Sequence, residues 1–182
     1  RAQLMAADDP KAALKLLETI GIKGFNAAMQ DDAALLLSQL YLGTGRTADA
    51  RKAADTISLD NPERKEIRPM AAAIVAEARA RTGKPKEALS LLDSIELPKK
   101  DGAQIATQIK VVRVFARFAA NQRGQARTEL QQLANEDVNN LGRFLMAQFR
   151  VHPELQKLAR SVLEQHPEAR AQAKSQARSQ KR

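Results

Sequence analysis

The chain has 182 residues, a formal net charge of +9, 43% hydrophobic residues, 3% aromatic residues and no cysteine. This apolar content supports a core of Ala, Leu, Ile and Val, of which Ala and Leu are strong helix formers. The composition excludes disulfides, thiolate metal sites and cysteine nucleophiles, and apolar runs such as Met70–Ala76 fall far short of the ~20 residues that span a bilayer.

From the N-terminus, the pattern predicts helices separated by glycine and proline. Asp9-Pro10 opens a first helix running to Ile20, with Asp as a cap and Pro at the first helical position. Asp31 to Leu42 holds Leu35, Leu36, Leu40 and Tyr41. Gly43-Thr44-Gly45 breaks the chain, and a helix to Ile57 follows. Glu66 to Arg81 carries Ile67, Met70, Ile74 and Ala78; Thr82-Gly83 breaks it, and Pro85 starts a helix reaching Ile95. Ala103 to Gln122 carries Ile105, Ile109, Val112, Ala116 and Ala119, with a break at Gln122-Arg123-Gly124. Asp137 to Arg150 holds Leu141, Phe144, Leu145 and Phe149, and His152-Pro153 turns into a last helix. The stretch from Glu168 to Arg182 has no large apolar residue and is expected to be a frayed or disordered basic tail. The reading is therefore a repeat domain over 1–167 and a tail over 168–182. It contains at least eight helices and no sheet.

The second helix of each pair repeats. Ala13, Ala50, Ala88 and Ala126 align, as do Leu17, Ala54, Leu92 and Leu130, and Ile20, Ile57, Ile95 and Leu133. The aligned alanines recur at a nearly constant interval. Within each copy the positions fall at i, i+4 and i+7, one face of a helix. An interval of this size marks stacked supersecondary units. The expected fold class is all-α, an α-solenoid of stacked antiparallel helix pairs.

On these residues the chain resembles the tetratricopeptide repeat family. In the second unit Ala50 and Ser38 stand at the family's small positions, Leu37 and Tyr41 at its large ones, and Pro62 at its terminal proline. In the third unit Ala76, Gly83 and Ala88 fit, but Arg79 replaces the usual large apolar residue. The fourth unit has Val114 at a small site and Arg117 at the large one. The first unit lacks most of its leading helix, and the period exceeds the family's length of about 34 residues. The resemblance covers residues 31–136 and implies a superhelix whose leading helices line a concave groove.

No motif carries catalytic chemistry. Thr82-Gly83-Lys84-Pro85 lacks the glycines of a phosphate-binding loop. His152 and His166 each precede a proline and have no acidic partners in a ligand spacing. Asp8-Asp9 and Asp31-Asp32 read as helix caps rather than paired catalytic carboxylates. No catalytic residue, metal site or cofactor is expected, and the chain reads as a non-enzyme.

The charge is asymmetric. Residues 1–102 carry 16 Lys/Arg and 15 Asp/Glu, whereas residues 103–182 carry 14 and 6. Lys110, Arg113 and Arg117 lie at i, i+3 and i+7, on the face opposite Ile105, Val112, Phe115 and Ala119. Arg143 and Arg150 lie seven apart on the next leading helix. The resemblance would bring these five side chains into a groove that holds an acidic partner. The same residues on an outer face would be merely solvated, and the sequence leaves both placements open.

The function read from the sequence is a protein–protein interaction scaffold for a partner protein or acidic peptide. The alternative is a nucleic-acid or anionic-surface binder driven by the basic second half and tail, against which stands the shortage of aromatics for base stacking. The chain begins at Arg1 without a signal-peptide pattern and reads as a piece of a longer parent, either envelope-associated or cytoplasmic.

Overall fold

The computed structural model describes residues 5–6, 8–21, 25–61, 65–96, 103–136 and 153–165. Among them the secondary structure is helical throughout, with helices α1 (Pro10–Ile20), α2 (Ala27–Gly43), α3 (Thr47–Ala54), α4 (Arg68–Arg81), α5 (Pro85–Asp93), α6 (Ala103–Ala119), α7 (Arg123–Glu136) and α8 (Pro153–Glu164). The chain divides into two compact units, Arg1–Ile95 and Glu96–Arg182.

Local chemistry sets the helix starts. The Asp9 carboxylate accepts from the Ala12 N–H at 2.9 Å, and Pro10 follows at the first helical position. Asn26 does the same for α2, accepting from the Met29 N–H at 2.9 Å. Asn26 thus starts α2 ahead of the predicted Asp31, and the reading of Asp31-Asp32 as caps is corrected. Both lie inside the helix. Asp31 is buried and accepts from the Ser58 N–H at 3.1 Å, tying α2 to the segment after α3.

Three hairpins share one turn. The N–H of Arg46 donates to the Tyr41 carbonyl at 2.9 Å, that of Lys84 to Arg79 at 2.9 Å, and that of Gln122 to Arg117 at 2.8 Å. These are the long bonds of a Schellman ending, which satisfies carbonyls a helix terminus would otherwise orphan. Tyr41, Arg79 and Arg117 therefore hold equivalent places, each one repeat after the last. The residue before the donor takes φ 79° at Gly45, 80° at Gly83 and 62° at Asn121. The third turn departs from expectation, because Asn121 and not Gly124 supplies the left-handed residue. Gly124 lies within α7. Asn tolerates this conformation better than other side-chain-bearing residues, so the helix ends without a glycine.

In the first unit the core joins Ala13, Leu14 and Leu17 of α1, Leu35, Leu37, Leu40 and Tyr41 of α2, Ala50 and Ala54 of α3, and Ile74, Val75 and Ala78 of α4. Helix α4 packs on α2, α3 and α5. Ala71, Ala72, Ala73, Ala76, Ala78 and Ala80 are all buried, as close approach on several sides requires. The repeat's small position is sealed in every copy, with Ala13, Ala50, Ala88 and Ala126 each 0% exposed. Leu92 and Leu130 are likewise fully buried, worth roughly 1.5–3 kcal/mol each relative to exposure. One aligned position differs: Ile20, at the end of α1, is 57% exposed. It is the last residue of its helix, before Gly21.

In the second unit α6 packs on α7, and α7 on α8. Ile109, Val111, Val112, Val114, Leu130, Leu155 and Val162 are buried. Burial on α6 covers a wider arc than the predicted stripe. It includes Val111 and Val114 but leaves Ala119 exposed.

Candidate partner-binding face

Helix α6 carries Lys110, Arg113 and Arg117 on one side, as the spacing predicts, and all three are half-buried. The antiparallel partner helix α7 presents Glu129 and Glu136, also seven residues apart. Antiparallel register nests the two sets. Lys110, early in α6, forms an ion pair with Glu136, late in α7. Arg117, late in α6, donates from Nε to Glu129 Oε1 at 2.6 Å. Its Nη1 also reaches Gln122 Oε1 at 3.1 Å and Gln125 Oε1 at 2.9 Å. Gln132 Nε2 completes the row by donating to Glu136 Oε1 at 2.8 Å.

Lys110, Arg113, Glu129, Gln132, Leu133 and Glu136 line a small cavity of about 110 Å³. The Lys110 ammonium, and then the Gln132 amide, hold the Glu136 carboxyl below its ordinary range. With Lys110, Arg113 and Arg117 set against Glu129 and Glu136, the face is a largely self-compensated seam between two helices. Its pairs are partly exposed, where ion pairs contribute roughly 0–1 kcal/mol and open cheaply.

Arg143 and Arg150 lie outside the described residues, as do His152, His166, Pro62 and the tail from Glu168 to Arg182. Glu129 and Glu136 are the participants that sequence reasoning missed. The signal was present, because their separation of seven matches that of Lys110 and Arg117 across a turn.

The equivalent place in the first unit is built differently. The Tyr41 hydroxyl donates to Glu18 Oε1 at 2.9 Å, and Arg46 Nη1 reaches the same oxygen at 2.7 Å. The Arg46 guanidinium lies 4.6 Å from the centroid of the Tyr41 ring. Arg79, the counterpart of Tyr41 in the next repeat, stands 3.9 Å from Asp55, which also accepts from Arg51 Nε at 2.6 Å. The polar tip of the residue at this position thus meets a carboxylate of the preceding helix or its cap in both cases. This gives arginine a place where the repeat pattern calls for bulk, since its stem packs and its head pairs.

Among the described residues no group of three or more His, Asp or Glu side chains is arranged to hold a metal ion. No helix among them is long and apolar enough to cross a membrane.

Residues 4–74 match the family model for the tetratricopeptide repeat. No curated protein and no solved structure matches the chain. The match and the helix pairs support a tetratricopeptide-repeat-like protein with the all-α architecture of a helical repeat. Tetratricopeptide repeats generally mediate protein–protein interaction, and the fold is in general a non-enzymatic scaffold.

Proposed function

We propose that this tetratricopeptide-like chain is a non-enzymatic scaffold that holds an acidic segment of a partner protein against the basic face of α6, through Lys110, Arg113 and Arg117. The same reading counts Arg143 and Arg150, which lie outside the described residues, among the partner-binding cations. The observation that carries it is the row of three cations beside a cleft, with Lys110 and Arg117 each held by a carboxylate that a partner's own carboxylate can replace. Exchange of one exposed ion pair for another costs little, so the internal carboxylates keep the cations extended and aligned until a partner arrives.

The test is crosslinking in the native source, followed by identification of the captured protein and mapping of the crosslinked residues. Capture should then be repeated with Lys110, Arg113 and Arg117 changed to Gln. Gln is the cleaner probe, because Glu at 110 or 117 would face Glu136 or Glu129 and strain the hairpin itself. Loss of the partner with helicity and melting unchanged supports the assignment. Undiminished capture refutes it.

The charge excess after residue 102 favours a second reading, contact with a nucleic acid or another anionic surface. Such binding falls steeply with salt as counterions are released, whereas a peptide held partly by apolar contacts falls less. A salt titration of the captured complex separates the two.

A further inference from the structure

A second concavity lies in the same unit, away from the compensated seam. Phe118 of α6, Arg123, Gly124 and Arg127 of α7, and Lys157 and Leu158 of α8 line an open groove of about 420 Å³. Its charge is one-sided: three of the six lining residues are cations and none is a carboxylate. The glutamates of α7 are committed elsewhere, Glu129 to Arg117 and Glu136 to Lys110. Arg123 and Arg127 are one helical turn apart on α7. The groove also has an apolar floor. Phe118 and Leu158 are half-buried, and the Arg123 guanidinium lies 5.5 Å from the Phe118 ring centroid. At Gly124 an added Cβ would meet nothing within 4 Å, so the wall is open there.

We propose that this groove between the α6–α7 turn and α8 docks an acidic segment of a partner protein that carries one large apolar side chain. Carboxylates sit on Arg127 and Lys157, and the apolar side chain lies on Phe118 and Leu158 beside Gly124. Opposite charge on the cations of the rim supplies steering and register, and the apolar floor supplies an anchor of the kind that carries interface affinity. The groove is distinct from the seam at Lys110, Arg113 and Arg117. It rests on the same view of the chain as an interaction module.

The probe is a fluorescently labelled peptide of Asp and Glu with one central Leu, titrated with the full chain and read by anisotropy. Three variant sets are compared: Arg127→Gln with Lys157→Gln; Gly124→Leu, which fills the opening; and Lys11→Gln with Lys52→Gln at exposed positions of the first unit. Circular dichroism and melting verify that each remains folded. The first two sets should each weaken binding about tenfold or more, and the first-unit set should change it less than about twofold.

Undiminished binding in the first two sets overturns the groove and leaves the proposed function standing. Equal weakening by both charge sets overturns it as well, since binding then follows net charge. Absence of peptide binding to the wild-type chain overturns it, and so does undiminished binding when the central Leu becomes Ser. A single-stranded oligonucleotide that displaces the peptide at lower concentration overturns it in favour of nucleic acid. The crosslinking capture described above bears on the interaction-module reading independently of all these outcomes.

Discussion

Asn121 occupies in the third hairpin the place that Gly83 holds in the second: one repeat further on, it takes the same positive φ immediately before the residue that closes the turn. The backbone geometry is repeated while the residue is not. Glycine reaches this conformation without steric cost, and asparagine reaches it at a modest one.

Substitutions at these turns should therefore differ in sign. Gly83→Ala should lower stability by about 1 kcal/mol, and Asn121→Ala by a similar amount. Asn121→Gly should stay within about 0.5 kcal/mol of wild type. Gly124→Ala should stabilise by about 0.5–1 kcal/mol, since Gly124 is helical and has room for a methyl group. Urea denaturation of the four variants checks the series. A destabilised Gly124→Ala would mean that the third turn lies where the sequence pattern first placed it.

Leu92 and Ile20 were aligned to apolar repeat positions, yet one is 0% and the other 57% exposed. Leu92→Ala should cost about 2–4 kcal/mol through lost burial and the cavity left behind. Ile20→Ala should change stability by less than about 0.5 kcal/mol. Chemical denaturation of both distinguishes a shared apolar face from one that ends before the last residue of α1.

Glu77 is the buried carboxylate of the first unit's fourth helix, paired with Arg81 one turn on at 2.6 Å, both side chains 8% exposed. Burial pushes its carboxyl up, and Arg81 offsets only part of that rise. A raised folded-state value means that the native protein holds this proton after the unfolded chain has lost it. The associated stability is present below the ordinary carboxylate range and is lost as pH rises through the folded value. Glu77→Gln should flatten that decline. Arg81→Leu should be most damaging at neutral pH, by about 3 kcal/mol, because it removes the cation paired with a buried charge. Its cost should shrink in acid, where Glu77 can be neutral. Melting curves across pH test both; an unchanged slope in Glu77→Gln would show that another group sets it.

Glu136 provides the opposite sign. Its carboxyl is held down by Lys110 and then by Gln132. Its contribution is present above the ordinary carboxylate range and is lost as pH falls through the folded value. Carboxyl carbon resonances followed by NMR should show Glu136 titrating low in the wild type and moving up in Lys110→Gln. A low value that persists in the variant would assign the effect to Gln132 instead.

The helix pairs were legible because glycine, proline and the recurring alanine punctuate the chain at a nearly constant interval. The start of α2 is not legible from Asp31-Asp32, because its cap is Asn26 and the buried Asp31 only resembles one. At the candidate face, the grouping of Lys110, Arg113 and Arg117 followed from spacing alone. Their pairing with Glu129 and Glu136 did not, since single-helix periodicity says nothing of which face the next helix covers. The second groove escaped for the same reason: Phe118, Arg127 and Lys157 meet only through the packing of three helices.

The recurrent turn also bears on how the chain reaches its fold. Each of the three Schellman bonds is made between residues five apart, and each joins helices that then pack on one another directly. Loop-closure entropy is small at such separations, so every hairpin is a candidate nucleus in its own right. Folding dominated by local contacts is fast, and in a repeat array it can start at more than one site and spread to neighbours. A mutation that spoils one turn should then slow nucleation at that hairpin while leaving the other two free to begin.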